Sequence, residues 1–264
     1  MTEVAFPLSR VWLFIIAGIA GAVLGSFGNM LIWRLPRDES IVKPPSHCTK
    51  CGHKIRFFDN IPILSFVLLR GRCRDCSAPI SPRYFLVELA SALLLIGAAI
   101  AYGWSLETLF YGVFLWALLI LAIIDFEHEL LPFAITIPMT YFGLFGALLG
   151  ATLPVEWALA GSAVGLLFLL ALFYLVGFVV RREAMGEGDI VFGMMAGMYL
   201  GVDKTMLMMF LGSLLGVLLM VPLFLLRRKK ASAPFPFGPF LAFSAALAIF
   251  FGAEIVRWYV ELFG

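Results

Sequence analysis

Long apolar segments alternate with short polar connections along this 264-residue chain. A helix needs about 20 apolar residues to cross the hydrocarbon core of a bilayer, and each segment has about that length. The segments cover residues 11–33, 84–102, 106–124, 133–153, 157–180, 183–202, 205–226 and 237–260. We therefore predict an all-α polytopic membrane protein with about eight transmembrane helices.

The first segment does not resemble a cleavable signal peptide. Residues 1–10 contain an acid and a proline, whereas a signal peptide begins with a short basic stretch. We expect this segment to be retained. Composition supports a membrane protein, because 62% of the residues are hydrophobic, 14% are charged and the mean hydropathy is +1.01.

Residues 34–83 interrupt the apolar pattern and contain all four cysteines. Cys48-x-x-Cys51 and Cys73-x-x-Cys76 are separated by 21 residues, a spacing typical of a structural zinc site with four thiolate ligands. Such an ion stabilises a domain that is too small to build its own core. Two redox-active cysteine pairs are the alternative, but no βαβ pattern surrounds either pair.

Other polar residues surround these cysteines. His47 and His53 are not expected to bind the metal, because four sulfurs complete a tetrahedral shell. The basic side chains of this region could contact anionic lipid headgroups, and nucleic acid is a less favoured partner. We expect three parts: a first transmembrane helix in residues 1–33, a zinc-binding cytoplasmic domain in 34–83 and a seven-helix membrane domain in 84–264.

The basic residues are distributed unevenly, and this predicts the orientation. Sixteen of the nineteen lysines and arginines lie in the odd-numbered connections, at residues 34–83, 125–132, 181–186 and 227–236, although 125–132 holds none of them. Cytoplasmic loops carry an excess of basic residues, so these connections are expected in the cytoplasm and both termini outside it. The net charge of +2 adds nothing to this argument.

Two acids lie at the cytoplasmic ends of apolar segments. Asp125 follows the third segment, and Asp189 ends the run Gly186-Glu187-Gly188-Asp189. Two carboxylates held close together share one proton, so that one acts as general base and the other as general acid. Such a pair can activate water against a peptide carbonyl without a covalent intermediate. The simpler interpretation is that each acid only caps a helix at headgroup level.

Two other functions compete with catalysis by the acid pair: proton-coupled transport and non-enzymatic assembly. Four nearby ionisable residues are expected to be solvated: Glu127, His128, Glu129 and Glu187. A proton-coupled transporter could use the same two acids as a relay, but the segment pattern shows no inverted repeat. A non-enzymatic assembly scaffold would explain the cysteines but not the paired acids.

An ordered set of motifs resembles the prepilin peptidases, the type IV leader peptidase family of bacterial membrane aspartic proteases. The set runs from the first helix through the cysteine pairs to the segment before the last helix. Its members are Gly25-Ser26-Phe27-Gly28-Asn29, Arg34-Leu35-Pro36, the two Cys-x-x-Cys pairs, Asp59-Asn60-Ile61-Pro62, Ile80-Ser81-x-x-Tyr84-x-x-x-Glu88, Ile124-Asp125, Leu131-Pro132, Gly186-x-Gly188-Asp189 and Pro236-Phe237-Gly238-Pro239.

This resemblance implies that Asp125 and Asp189 are the catalytic pair. They would remove the short basic leader from type IV prepilins and type II secretion pseudopilins, after a glycine, at the cytoplasmic face of the bacterial inner membrane. It also implies N-methylation of the new terminal residue by S-adenosylmethionine, associated with the domain in residues 34–83. As a hypothesis, Asn29, Arg34 and Glu88 lie near the methyl donor; their simpler roles are a packing amide, an interfacial anchor and a boundary acid.

The chain departs from the family pattern at two positions. Phe133 follows Leu131-Pro132 where the family often has an aspartate, and Val191 stands where it often has a lysine. We expect the missing positive charge to alter either the titration of Asp189 or the way in which a substrate carboxylate is held. The resemblance still implies a peptidase.

Overall fold

The computed structural model describes residues 7–43, 45–180, 186–227 and 236–263, and helices dominate this part of the chain. The predicted all-α architecture is confirmed. Its α-helices are α1 (Pro7–Arg34), α2 (Leu64–Leu68), α3 (Pro82–Tyr102), α4 (Leu106–His128), α5 (Phe133–Leu148), α6 (Val155–Val180), α7 (Glu187–Arg227) and α8 (Gly238–Phe263). Short 3-10 helices cover Leu35–Arg37 and Phe57–Asn60.

Seven of these helices carry the eight predicted apolar segments. Within the described residues, six helices are long and apolar enough to cross a membrane. The longest, α7, has 41 residues and would measure about 60 Å, twice the thickness of the hydrocarbon core. Two predicted segments, 183–202 and 205–226, both lie in α7, and the dihedral angles of Gly201 (φ 69°, ψ −175°) are not helical near the boundary between them. Residues 183–185, the start of the first segment, lie outside the described residues.

The fourth predicted segment is shorter than expected. We predicted a helix over residues 133–153, but α5 ends at Leu148 after 16 residues, or about 24 Å. The physical reason is Gly150, whose φ of 65° is incompatible with a continuing right-handed helix. The chain therefore turns before the apolar run is complete.

The chain divides between Thr108 and Leu109 into two compact units. In the first unit, α1 packs against α3 at very short range. A Cβ added to Gly21 would lie 2.6 Å from the Ser91 carbonyl oxygen, and one added to Gly25 would lie 2.6 Å from the Glu88 Cα. Two glycines four residues apart allow membrane helices to approach to backbone contact, and this pair joins the two helices.

In the second unit, glycines join α6 to α7 in the same way. A Cβ on Gly161 or on Gly165 would collide with α7 backbone at Gly197 or Gly193. Van der Waals packing of this kind is the main force between helices where no water is available to drive association. The first half of α7, which carries Asp189, is thus held against α6.

An aromatic stack joins α4, α5 and α7 in the same unit. The rings of Phe114 and Tyr199 are nearly parallel, with centroids 4.0 Å apart. Tyr199 donates its hydroxyl to the Met139 carbonyl oxygen at 2.8 Å, so its buried polar atom has a partner. Since Phe114 belongs to α4 and Tyr199 to α7, the contact fixes the two helices that carry Asp125 and Asp189.

The glycine packing of α6 and α7 generates a matched pair of substitutions. We expect Gly197→Ala to lower the free energy of unfolding by about 1–3 kcal/mol, because its Cβ overlaps the Gly161 backbone. Gly177→Ala on α6 is the control, since a Cβ there meets nothing within 4 Å. Thermal unfolding of the detergent-solubilised variants provides the measurement. A Gly197→Ala protein as stable as the control would contradict this account of the packing.

Candidate active site and metal centre

Asp125 lies in the last turn of α4 and is buried, with 6% of its surface exposed. From Phe110 to Ile124 the helix is apolar and largely buried. The carboxylate has one hydrogen bond across the fold, in which the Gly238 N–H at the start of α8 donates to Asp125 Oδ2 at 2.9 Å. A buried carboxylate without a donor would be strongly disfavoured, so this bond allows Asp125 to occupy its position.

Asp189 lies in the first turn of α7 and is equally buried, at 8%. Its Oδ2 accepts a hydrogen bond from the Gly186 N–H at 3.3 Å, in the manner of an acid that caps the start of its own helix. Its Oδ1 is buried and has no hydrogen-bond partner in the described part of the chain. Helix capping therefore accounts for Oδ2 of Asp189 but does not account for the burial of its Oδ1.

The structure brings these two acids together. The ends of α4, α7 and α8 meet at one end of the second unit, because Asp125 accepts the N–H of Gly238 and Leu131, six residues after Asp125, lies against Gly188. Two buried carboxylates within electrostatic range cannot both be charged freely, because the charge on each disfavours the charge on the other. The arrangement has the components of a general acid and base pair.

The second glycine of the Gly-x-Gly-Asp run has a clear packing role. A Cβ on Gly188 would lie 2.8 Å from the Leu131 Cβ and 2.9 Å from the Leu131 carbonyl oxygen. Gly186 is different, because a Cβ there would have no contact closer than the 3.6 Å to Asp189 Oδ2. Gly188 therefore lets the loop between α4 and α5 press against the first turn of α7. Met185, which precedes this run, lies outside the described residues.

The other ionisable residues near the pair are exposed, as expected. Glu127 Oε2 lies 3.9 Å from His128 Nε2, and both residues are exposed. Glu129 and Glu187 are exposed as well. Phe133, one of the two departures from the family pattern, is the first residue of α5 and is 46% exposed.

The four cysteines of the first unit form a compact cluster. Their sulfur atoms all lie within 4.8 Å of one another, and Cys48 Sγ is 3.8 Å from Cys76 Sγ. Tetrahedral Zn²⁺ with Zn–S bonds of about 2.3 Å requires sulfur atoms about 3.8 Å apart. The cluster could therefore hold a metal ion, and the group does not include His47 or His53.

Two similar turns create this cluster. In one, Cys48 N–H donates to the His53 carbonyl oxygen, and in the other Cys73 N–H donates to that of Ala78. Each turn passes through a residue of positive φ, Gly52 at 70° and Ser77 at 57°. The chain thus presents two sulfurs from each of two equivalent turns.

The electrostatics of the cluster also suit a cation. Hydrogen bonds from the backbone of Cys51 and Lys50 lower the pKa of the Cys48 thiol to about 6. For Cys76, a backbone hydrogen bond from Ala78 is outweighed by desolvation and by the neighbouring cysteines, which raise its pKa to about 12. A cation bound close to these sulfur atoms would favour their thiolate forms.

An ion pair beside the cluster joins the second cysteine turn to the 3-10 helix at Phe57–Asn60. Arg74, between the second pair of cysteines, donates from Nε to both oxygens of Asp59 at 2.9 Å. The hydrogen bond from Arg74 holds the pKa of Asp59 below its usual value. Both residues lie outside the helices that could span a membrane.

The three residues expected near a methyl donor all lie in the first unit, and each has a hydrogen bond. Asn29 donates through Nδ2 to the Tyr84 carbonyl oxygen at 2.9 Å, while its Oδ1 is buried without a partner in the described residues. Arg34 donates to the Ser40 carbonyl oxygen at 2.7 Å. Glu88, 8% exposed, accepts the Ile63 N–H at 2.7 Å.

Ile63, the partner of Glu88, has an unusual backbone. Its φ of 64° and ψ of −54°, with a 2.6 Å hydrogen bond from Leu64 N–H to the Pro62 carbonyl oxygen, define a strained γ-turn. Positive φ is rare for a β-branched residue and persists only where neighbours enforce it. The carboxylate of Glu88 is such a neighbour, and it joins the polar region to α3.

Two contacts of the site could not be deduced from the residue pattern. The Gly238 and Ile63 N–H groups that bind Asp125 and Glu88 belong to the backbone, which every residue except proline possesses. The sequence does show that helices are interrupted at Pro236-Phe237-Gly238-Pro239 and at Ile61-Pro62. It does not show which acceptors the N–H groups near these prolines bind.

Comparison with known proteins agrees with this description. The model of the Bacterial Peptidase A24 N-terminal domain matches residues 19–102, and that of the Type IV leader peptidase family matches residues 112–221. A relative from Aeromonas hydrophila is 37% identical, with 96% of each chain covered, and one from Pseudomonas putida is 36% identical, with 94% of each covered. Both are named prepilin leader peptidase/N-methyltransferase.

The fold and the site define a polytopic membrane protein with a buried acid pair and a four-cysteine cluster. The chain belongs to the type IV leader peptidase family. No solved structure gives a significant match to it.

Proposed function

We propose that this chain is a membrane aspartic endopeptidase that removes the leader of type IV prepilins and type II secretion pseudopilins. The observation that carries the proposal is the meeting of Asp125 and Asp189, two buried carboxylates from different helices, at one end of the second unit. The pair activates water for attack on the scissile carbonyl. Near full-length similarity to relatives named for this activity supports it.

The proposed location is the bacterial inner membrane, with the acid pair at the cytoplasmic side and both termini outside. The segments that carry most of the basic residues lie at residues 34–83, 181–186 and 227–236. Positive-inside bias supports this orientation. A substrate would keep its apolar helix in the membrane and present its polar leader at the inner face. Much of 181–186 and 227–236 lies outside the described residues.

The acid pair generates the first functional test. Asp125→Ala and Asp189→Ala should each lower prepilin cleavage by about 10²–10⁴-fold, because general acid and base catalysis contributes that much. Product mass after incubation of the purified protein with a prepilin measures the effect. Glu127→Ala is the matched control, being an exposed acid two residues from Asp125. Full cleavage by either aspartate variant would refute the proposed mechanism.

The proposed domains are the first helix in residues 1–33, a zinc-binding cytoplasmic domain in 34–83 and a membrane domain in 84–264. We assign Zn²⁺ to Cys48, Cys51, Cys73 and Cys76. The 3.8 Å separation of two of these sulfurs supports the assignment, because it is the edge of a ZnS₄ tetrahedron. Four thiolates leave no open coordination position, so the ion is structural.

Loss of one sulfur tests this assignment. Cys48→Ser should remove bound zinc and make residues 34–83 sensitive to protease, because the binding energy of a structural zinc ion is largely folding energy. Metal analysis and limited proteolysis provide the measurements, with Ser77→Ala as a control outside the ligand set. A Cys48→Ser protein that keeps its full zinc content and its protease resistance would exclude a four-cysteine site.

We also propose that the protein N-methylates the new terminal residue with S-adenosylmethionine, which supplies the methyl group. Asn29, Arg34 and Glu88 are the candidate residues. Asn29 Oδ1 is a buried acceptor without a partner in the described residues, and it fits an amino group of this donor. The buried carboxylate of Glu88 fits the positive charge of the donor.

Binding of S-adenosylmethionine tests these residues directly. Asn29→Ala should weaken binding by about tenfold, the usual effect of leaving one hydrogen bond unmade. Calorimetric titration of the purified protein measures it independently of catalysis, and melting temperatures show whether each variant is folded. Unchanged affinity in folded Ala variants at all three positions would remove the donor from this part of the first unit.

A further inference from the structure

The two carboxylates of the acid pair are supported unequally. Asp125 Oδ2 accepts the Gly238 N–H at 2.9 Å, whereas Asp189 Oδ2 accepts the Gly186 N–H at 3.3 Å. Asp189 Oδ1 accepts no hydrogen bond within the described part of the chain. A shorter bond gives more support to a negative charge, so the surroundings favour charge on Asp125.

The donor at Gly238 is also the start of a long helix. Its N–H is the first of α8, which has 26 residues, and the N-terminus of a helix carries a partial positive charge. The next N–H groups are not available, because Pro239 has none and those of Phe240 and Leu241 donate to the Phe237 carbonyl oxygen. In the first turn of α8, the Gly238 N–H is therefore the group that faces Asp125.

Charged neighbours do not provide this support. In the described part of the chain, the charged groups near Asp125 are Glu129, which follows the end of α4, and Asp189 in the first turn of α7. Both are acids, and the first turn of α8 has the uncharged sequence Gly-Pro-Phe-Leu. Among the described residues that face Asp125, the support for a negative charge therefore comes from an N–H donor and not from a cation.

We propose that Gly238 is a positioning residue whose N–H keeps Asp125 ionised as the general base, while Asp189 carries the proton as the general acid. This assignment rests on the peptidase activity proposed above. It follows from the shorter hydrogen bond at Asp125 and from the Oδ1 of Asp189, which accepts no hydrogen bond in the described residues and can carry a proton there.

The assignment gives a balanced reaction. Asp125 takes a proton from water, the water oxygen bonds to the scissile carbonyl carbon, and Asp189 gives its proton to the carbonyl oxygen. The C–N bond of the resulting gem-diol then breaks. The amine leaves with the proton held by Asp125, and one diol hydroxyl returns a proton to Asp189, so both acids regain their starting states.

Glycine is required at position 238 by its contact with Asp125. An added Cβ would lie 2.7 Å from Asp125 Oδ2 and 3.0 Å from its Cγ. The first distance is shorter than real Cβ contacts, so the carboxylate would have to move away from the N–H. Gly238→Ala therefore weakens the hydrogen bond without removing the donor.

Gly238→Ala is the first test, with Gly177→Ala as the matched control. We expect kcat for prepilin cleavage at neutral pH to fall about tenfold or more, the scale of a hydrogen bond to a charged group, with KM unchanged. The acidic limb of the pH profile of kcat/KM should move to higher pH, because the ionised form of Asp125 has lost support. A purely structural role for Gly238 would lower the amount of active protein without moving this limb.

The second test does not depend on whether the Gly238 variant folds. Asn at position 125 cannot take a proton, but Asn at position 189 can still donate an N–H to the carbonyl oxygen. Asp189→Asn should therefore retain at least about tenfold more residual cleavage than Asp125→Asn, a difference of about 1.4 kcal/mol in the barrier. Equal residual rates, or the reverse order, would overturn the assignment.

These outcomes separate the two proposals. Failure of the folded wild-type protein to cleave any prepilin would count against the peptidase function itself. Cleavage by the wild type, combined with a Gly238→Ala profile that matches Gly177→Ala, would leave the function intact and reject the role of Gly238.

Discussion

Burial of two carboxylates inside an apolar helix bundle is the constraint on which the rest of the second unit depends. A carboxylate at such a place requires a hydrogen-bond donor, and within a helix the backbone donors are already used. The protein meets this requirement with helix ends. Asp125 closes α4 and receives the first N–H of α8, while Asp189 opens α7 and receives the N–H of Gly186. The site can only form where these ends meet.

The close packing of the helices holds the ends that carry the two acids near each other. The Gly161 and Gly165 contacts hold α7 against α6, and the Phe114–Tyr199 stack holds α4 against α7. Both contacts are rigid, because backbone touches backbone in one and flat rings touch in the other. The acids are consequently supported by contacts well inside the helices and do not depend on the exposed loop residues near them.

Much of this architecture could be predicted from the sequence, because apolar runs of membrane length and paired cysteines are strong signals. The end of α5 could not, since the apolar run continues past Gly150 and only the backbone shows where the chain turns. The surroundings of Asp125 and Glu88 could not be predicted for a different reason. Their partners are main-chain N–H groups, and the distance along the chain is 113 residues in one case and 25 in the other.

The contact between Glu88 and the strained turn at Ile63 also limits how the first unit can vary. The bond closes a ring of chain that contains the second pair of cysteines and the start of α3. An insertion inside that ring would have to leave the Ile63 N–H within reach of the Glu88 carboxylate. Residues 38–46 lie outside the ring, so this requirement does not apply to insertions there. Chimeras between relatives should therefore join their parents before Ile63 or after Glu88, so that both partners come from the same parent.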